Sequence, residues 1–428
     1  DNPFFSMEVN LSRSKVNSIS EDKSGNLWFG LLQKGIYKQP IAFRGFNYMG
    51  YKMGDRNLLG SACVVSTLLD SRGRVWVGTD KDGLYSLDNQ FHLLKHYSAD
   101  VPSTIMSLAE DKEGHIWVGS YGDGFGWIDP VTQKFHFVDY PADKYLIVMD
   151  MDCDPQGRRW LATMRYGLIC MDSKGNFLKR YMLKEGAETD RKVNSITNNY
   201  VSQVSVSPDG KRVYVSTSMG LCCLDIESES WVKTFGTNCP NYSQPVRIAR
   251  EYDGRIWLGT NNGLYCYSLD GKVLKHYMLE AGLPDNGVGA IERHPNGRLW
   301  IGTNHGLSCF DPKTGLFQNY FADDGLQSNE FGDGASFASP DGLMLFGGTG
   351  GITWFRPQDI TQSNWSARVQ LTAFTVNGAP IGGNARSGSY QITDTTVFRS
   401  TRFELDYLDN TFAVQFSTLT YENPEHIS

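Results

Sequence analysis

Six short polar stretches carry side chains that could do chemistry: Asp80-Lys81-Asp82, Tyr121-Gly122-Asp123, Met164-Arg165-Tyr166, Ser218-Met219, Asn261-Asn262 and Asn304-His305. Carboxylates, amides, a guanidinium and two tyrosines supply planar hydrogen-bonding groups beside aromatic faces. That is the set a polyhydroxylated ring requires. Asp80, Asp82, Tyr121, Asp123, Arg165, Tyr166, Asn261, Asn262, Asn304 and His305 are therefore the candidate ligand-binding residues. Acid–base catalysis would need a base with a positioned partner. The histidines to weigh are His96, His115, His136, His276, His294 and His305, and only His305 lies in one of the six stretches. No spacing pairs it with a partner. There is no His-x-x-x-His or Cys-x-x-Cys pattern, and the adjacent Cys222 and Cys223 do not have ligand spacing. The residues point to binding, with no catalytic residue, metal or cofactor expected.

The flanks of these stretches repeat. GRVWVGTDKDGLYSLD (73–88) shares its layout with HIWVGSYGDGFGWID (115–129), RRWLATMRYGLICMD (158–172), RIWLGTNNGLYCYSLD (255–270) and RLWIGTNHGLSCFD (298–311). NLWFGLLQKGIYK (26–38) is an earlier copy, and 212–225 and 343–355 are weaker ones with Tyr214 and Phe346 in place of the tryptophan. The anchors Trp28, Trp76, Trp117, Trp160, Tyr214, Trp257, Trp300 and Phe346 recur roughly every 43 residues, a period of four-stranded propeller blades. Each unit reads as four strands. An apolar alternation such as VVSTLL (64–69) comes first, then an Asp- and Gly-containing turn such as Asp70-Ser71-Arg72-Gly73. The tryptophan strand follows, then a polar loop, a Gly-Leu-Tyr strand and an aromatic fourth strand such as KFHFVDY (134–140). One such sheet cannot bury both faces alone, but a ring of them can. Trp76 is then a wedge between neighbouring blades, and Gly78 lets the sheets crowd near the axis. A sustained helical period is conceivable only in 181–195. In this architecture the six polar stretches join second to third strands and gather on one face, with the longer connections 184–200 and 236–245 as walls.

With 428 residues the chain has room for a propeller and a second domain, and 13% aromatic content suits a β-rich fold. The formal net charge of −7 argues against nucleic acid or an anionic membrane as the main partner. Lys81, Arg165 and Arg247 leave room for an acidic ligand, against which the net charge speaks. No apolar run is long enough to span a bilayer. The chain opens on DNPFFSMEVN, without the features of a signal peptide, as an excised piece of a longer protein would. Of the eight cysteines, Cys170, Cys223, Cys266 and Cys309 fall at one repeated position and read as small buried fillers, too far apart in adjacent blades to bridge.

After Pro357 the period breaks. RVQLTAFTVNGAPI (368–381) reads as two strands around an Asn377-Gly378 turn, and 403–428 as two more around Asp409-Asn410. The D-x-x-G-x-[LIV]-W-[VI]-G-T-x-x-G-[LI] unit, seen over 70–84 and 111–125, resembles the two-component regulator propeller repeat. LDYLDNTFAVQFSTLTYENPE resembles the opening of the three-tyrosine (Y_Y_Y) sandwich that follows such propellers. The resemblance implies the periplasmic sensor region of a hybrid two-component system, an inner-membrane receptor that controls polysaccharide-utilisation genes. It implies an oligosaccharide ligand, signalling to a histidine kinase, a homodimer in the intact receptor, and a membrane connection only through a helix outside this chain. A protein-docking scaffold, or a propeller lyase or hydrolase, is the alternative. The expected fold is all-β: a seven-bladed propeller over 44–360, then the start of an immunoglobulin-like sandwich over 367–428. Residues 1–43 would be the last blade of a preceding propeller, with 46–52 closing the ring. The rival is one eight-bladed ring that counts 1–43 as its first blade and closes with 4–9.

Overall fold

The computed structural model describes residues 14–21, 27–39, 45–50, 58–61, 63–140, 145–183, 195–232, 234–235, 243–360 and 369–417. The chain divides into two compact units, Asp1–Thr361 and Gln362–Ser428.

The described residues of the first unit form seven four-stranded antiparallel sheets and one three-stranded sheet. The three-stranded sheet comprises β1 (Val16–Glu21), β2 (Leu27–Leu31) and β3 (Gly35–Gln39). β1 is exposed along its length, and Trp28 is half-buried. The first strands of the seven blades are Val64–Leu69, Ile105–Glu110, Val148–Cys153, Val201–Val206, Val246–Tyr252, Val288–Arg293 and Phe331–Ala338. They stand beside one another in chain order, and the last lies beside the first. Blade seven takes its fourth strand from far upstream. β4 (Phe46–Gly50) pairs antiparallel with Gly351–Phe355, Phe46 opposite Phe355 and Gly50 opposite Gly351. This is the closing strand read from the sequence. Residues 4–9, the closing strand of the rival ring, lie outside the described residues.

The repeat residues do what their types suggest. Trp76 packs with Leu84 and Tyr97 of its own blade and with Ile105, Ile116 and Ile128 of the next, so the wedge bridges two blades. A Cβ on Gly78 would meet Ile105 Cβ at 2.8 Å, and one on Gly347 would meet Val64 Cγ1 at 2.6 Å. Only glycine permits that approach. The turn aspartates have a second task beyond bonding their own backbone. The indole N–H groups of Trp76, Trp117 and Trp160 donate to Asp70, Asp111 and Asp154 at 2.9, 2.8 and 3.1 Å. Cys170, Cys223, Cys266 and Cys309 sit directly across from the anchors Trp160, Tyr214, Trp257 and Trp300 and are buried, as their spacing suggested. Burial pushes the thiols of Cys170 and Cys223 up to about 12, so they stay protonated.

In the second unit Gln370–Val376 pairs with Ala379–Pro380 around Asn377 and Gly378, which take φ values of 50° and 80° as a two-residue hairpin turn requires. Gln370–Val376 also pairs with Phe412–Ser417. The expected strand before Asp409-Asn410 does not form. Residues 403–408 contain a turn instead, because Ser387 and the aspartates compete for the backbone. The Asp406 N–H donates to Ser387 Oγ at 2.6 Å, and Ser387 Oγ donates to Asp409. Phe403 and Leu405 still pack against Phe374. The possible helix in 181–195 falls mostly on 184–194, outside the described residues. Helical turns among the described residues are short 3₁₀ segments such as Leu279–Ala281.

Candidate functional site

Each polar loop between second and third strands is braced by the threonine or serine that ends the second strand. Thr79, Thr163, Thr217 and Thr303 donate from Oγ1 to the carbonyls of Gly83, Gly167, Gly220 and Gly306, each at 2.8 Å. Those glycines all have positive φ, between 67° and 112°. The brace fixes which loop residue faces outward. The last residue before the glycine turns to the rim. His96 stacks on Tyr85 at 4.0 Å while its Nε2 meets the Asp82 carbonyl at 2.8 Å, and Tyr85 donates to the Asp82 carboxylate. Blade five repeats this, with His276 on Tyr265 at 3.8 Å and its Nε2 2.7 Å from the Asn262 carbonyl. Tyr166 packs edge-on against Tyr140. His305 leans on Phe321, and Asp123 accepts from Ser103. Asp82, Asp123, Tyr166, Asn262 and His305 thus each contact other residues of the propeller. Asp80 accepts from Thr104 at 3.1 Å, Arg165 is exposed, and Tyr121 is 50% exposed.

Asn261 and Asn304 do converge. They line a cavity of about 360 Å³ with Ser218 of the blade-four loop, Tyr200 and Pro245 of the blade connections, and Arg247. Residues 184–194 and 236–242 of the expected walls lie outside the described residues. Arg247 is the centre of the cavity. Its Nη1 donates to Asn304 Oδ1 at 2.9 Å and lies 3.5 Å from Asn261 Oδ1. Its Nε donates to Asp333 Oδ1 at 2.6 Å, and Nη2 pairs with the same oxygen.

First-strand bulges build this centre. The register of each first strand shifts after its opening residue, leaving one residue unpaired. The extra residue is Val65, Met106 or Met149 in blades one to three, and Ser202, Arg247 or Gly289 in blades four to six. Blade seven has a longer excursion, Gly332-Asp333-Gly334-Ala335, between the paired Phe331 and Ser336. Asp333 thereby reaches Arg247 from two blades away. Gly289, on the blade between, makes room: a Cβ there would meet Asp333 Oδ1 at 2.5 Å and Arg247 Nη2 at 3.0 Å. Gly334, at φ 66°, lies against Gln203, whose side-chain nitrogen would be 2.7 Å from a Cβ.

Further along the first strands, Asp150, Asp152 and Glu292 each lie near enough to Arg250 to feel its charge. Glu292 accepts from Ser336 at 2.8 Å, and the carboxylates of Asp150 and Asp152 accept from the N–H groups of Val204 and Val206. Burial raises the pKa of all three carboxyls, with Arg250 opposing, and pushes Asp150 up to about 7. The Tyr200 hydroxyl is also raised, by burial first and then by Asp333 and Tyr121. It remains a neutral donor and acceptor. On the opposite face Asp111, Glu113 and His115 lie close enough to hold an ion. Asp111, however, already accepts from Trp117, and from Arg159 at 2.7 Å.

Sequence reasoning found Asn261 and Asn304 through their loops. It named Arg247 only as a charge, and it missed Asp333, Tyr200 and Ser202. The available signal was Phe331-Gly332-Asp333-Gly334, where two glycines interrupt an otherwise alternating first strand.

Two component regulator propeller repeats match at residues 10–32, 101–122 and 282–305. A histidine kinase P4 from Formosa agariphila is 30% identical over 98 residues, 22% of this chain and 7% of that protein. The extracellular domain of the hybrid two component system BT3049 from B. thetaiotaomicron superposes with a TM-score of 0.72 at 23% identity, over 94% of this chain and 52% of that one. A streptogramin B lyase superposes with a TM-score of 0.57 at 14% identity, over 72% of this chain and 96% of that one. The chain thus spans about half the length of the sensor domain it resembles and a small fraction of the kinase. It carries two-component regulator propeller repeats on an all-β fold shared with the extracellular domains of hybrid two-component systems.

Proposed function

We propose that this chain is the ligand-sensing part of a hybrid two-component regulator. It binds an oligosaccharide on the loop face of the propeller and signals to a histidine kinase that controls polysaccharide-utilisation genes. The observation that carries the reading is the Arg247 cavity, where amides, hydroxyls and a charge pair from blades four to seven converge within reach of Tyr200. Convergence in a concave site favours a small ligand over a docked protein, which would seek a broader apolar patch. Tyr200 holds its proton and offers the cavity a neutral donor and acceptor. The periplasm is the compartment this reading requires. Among the described residues no helix is long and apolar enough to cross a membrane. Residues 1–43 are the last blade of a preceding propeller, and the receptor works as a homodimer whose subunits shift when ligand favours one arrangement.

The test is a thermal-shift screen of the chain against neutral and acidic oligosaccharides, with chromatographic recovery of each hit. A ligand bound without turnover raises the melting temperature by mass action and is recovered unchanged. Asn304→Ala should abolish the shift, while Tyr166→Ala should leave it. A sugar recovered cleaved would point to the lyase-like alternative, and no shift with any sugar would point to a protein-docking scaffold.

A further inference from the structure

The charge arrangement in the Arg247 cavity bears on the charge of a ligand it would accept. An arginine in a sugar pocket ordinarily suggests a carboxylate or sulfate ligand, since its planar fork matches such groups. Here the fork is occupied. Nε and Nη2 both meet Asp333 Oδ1, and Nη1 faces the oxygens of Asn304 and Asn261. The Arg247 side chain is only 15% exposed, whereas that of Asp333 is 56% exposed. An arriving anion would have to displace Asp333, and it would meet that carboxylate first.

The groups left over suit a hydroxyl. Both bonds from Arg247 go to Oδ1, so among the described residues Asp333 Oδ2 remains an acceptor. The side-chain oxygens of Asn304 and Asn261 point at Arg247, so among the described residues their NH₂ groups remain as donors. Asn304 Nδ2 sits where Gly287 lacks a side chain, 2.1 Å from where a Cβ would be. A sugar hydroxyl both donates and accepts, and a vicinal pair of hydroxyls matches an acceptor set beside donors. A cavity of about 360 Å³ is at the lower end of ligand-pocket sizes, enough for one end of a glycan with the rest outside.

We propose that the cavity selects an uncharged terminal sugar unit through vicinal hydroxyls, with Asp333 as acceptor and the Asn261 and Asn304 amides as donors, and that it rejects uronate and sulfated units. The proposal rests on the cavity being the sugar site. It makes Arg247 a positioning residue that holds Asp333 and both amide oxygens.

The experiment is calorimetric titration of the chain with neutral di- and trisaccharides of gluco, galacto, manno and xylo configuration, and with uronate or sulfated counterparts. Wild type should bind a neutral member at least about tenfold tighter than its charged counterpart. Asp333→Asn keeps the shape and removes the screening charge. It should weaken the neutral ligand about tenfold or more and narrow or reverse the discrimination. Arg247→Gln should weaken the neutral ligand without gaining charged ones. Thermal melts of both variants establish that they fold. A wild-type chain that prefers a uronate or sulfated sugar, or an Asp333→Asn chain with unchanged selectivity, overturns this inference and leaves the sensor reading standing. Binding of neither class by wild type overturns both.

Discussion

The indole of Trp300 shows what one turn residue is worth. Trp76, Trp117 and Trp160 each donate to an aspartate six positions earlier. The sixth position before Trp300 is His294, and the buried Trp300 N–H has no acceptor among the described residues. An unmatched buried donor costs about 1–3 kcal/mol. His294→Asp should therefore stabilise the chain by about 1 kcal/mol in urea unfolding, since Arg298 occupies the position from which Arg74 and Arg158 bond their aspartates. The converse, Asp70→Ala, strands the Trp76 indole and Arg74 together and should destabilise by about 2–3 kcal/mol. Asp150 gives a pH-dependent counterpart. Its pKa is pushed from the ordinary carboxylate range up to about 7, chiefly by burial. A carboxyl raised on folding contributes stability that is fully present below the unfolded value near 4 and is lost as pH rises through 7. Asp150→Asn should lose that dependence while keeping the acceptor for the Val204 N–H. Relative to wild type, the variant should gain stability steadily as denaturant melts are moved from pH 4.5 to 7.5. Parallel curves would count against a buried, destabilised carboxylate.

At the scale of elements, the strands were legible and the bulges were not. Period-two alternation, Asp-Gly turns and the repeated Trp-x-Gly-Thr disclosed the four-stranded units because each local feature repeats with one cause. The register shifts that carry Ser202, Arg247 and Asp333 to the cavity left no such pattern. A bulge adds one residue to a run that still alternates on either side, and only the glycines around Asp333 betray it. The loop residues divide for a related reason. Sequence treats Asn261 and Asn262 alike, yet the Thr260 brace sends one to the cavity and ties the other to Tyr265 at 3.1 Å. The tail strand expected before Asp409-Asn410 failed because side-chain bonds from Ser387 outcompeted a sheet ladder, a long-range effect invisible in local alternation. Gly289 offers the element-scale test. A Cβ there pushes on the exposed Asp333 carboxylate rather than on backbone. Gly289→Ala should fold with a melting temperature near wild type and lose most of its sugar affinity. A large loss of stability instead would mean the glycine serves packing alone.

For the whole molecule, the ring depends on a strand brought back from the start of the chain. Phe46 is fully buried against Trp300, Tyr320 and Phe355, and Met49 joins the cluster that packs blade seven on blade one. Phe46→Ala should cost about 3–5 kcal/mol, the usual loss for a buried phenylalanine. It should lower the unfolding midpoint of the whole propeller rather than release one blade. The repeats and the aromatic content made this architecture readable, and the long connection after Pro40 offered 46–52 as a closing strand, of which Phe46–Gly50 pairs with Gly351–Phe355. The cavity could not be read the same way, since its lining draws single residues from four blades.

The central claim is that a sugar occupies the Arg247 cavity, and hydrogen exchange of the chain with and without a binding neutral oligosaccharide tests it most directly. The account predicts added amide protection confined to 198–203, 217–219, 245–248, 260–262, 303–305 and 331–334. Protection centred on the turns of the opposite face, on 111–115, or on the fourth strands of the rim would contradict it.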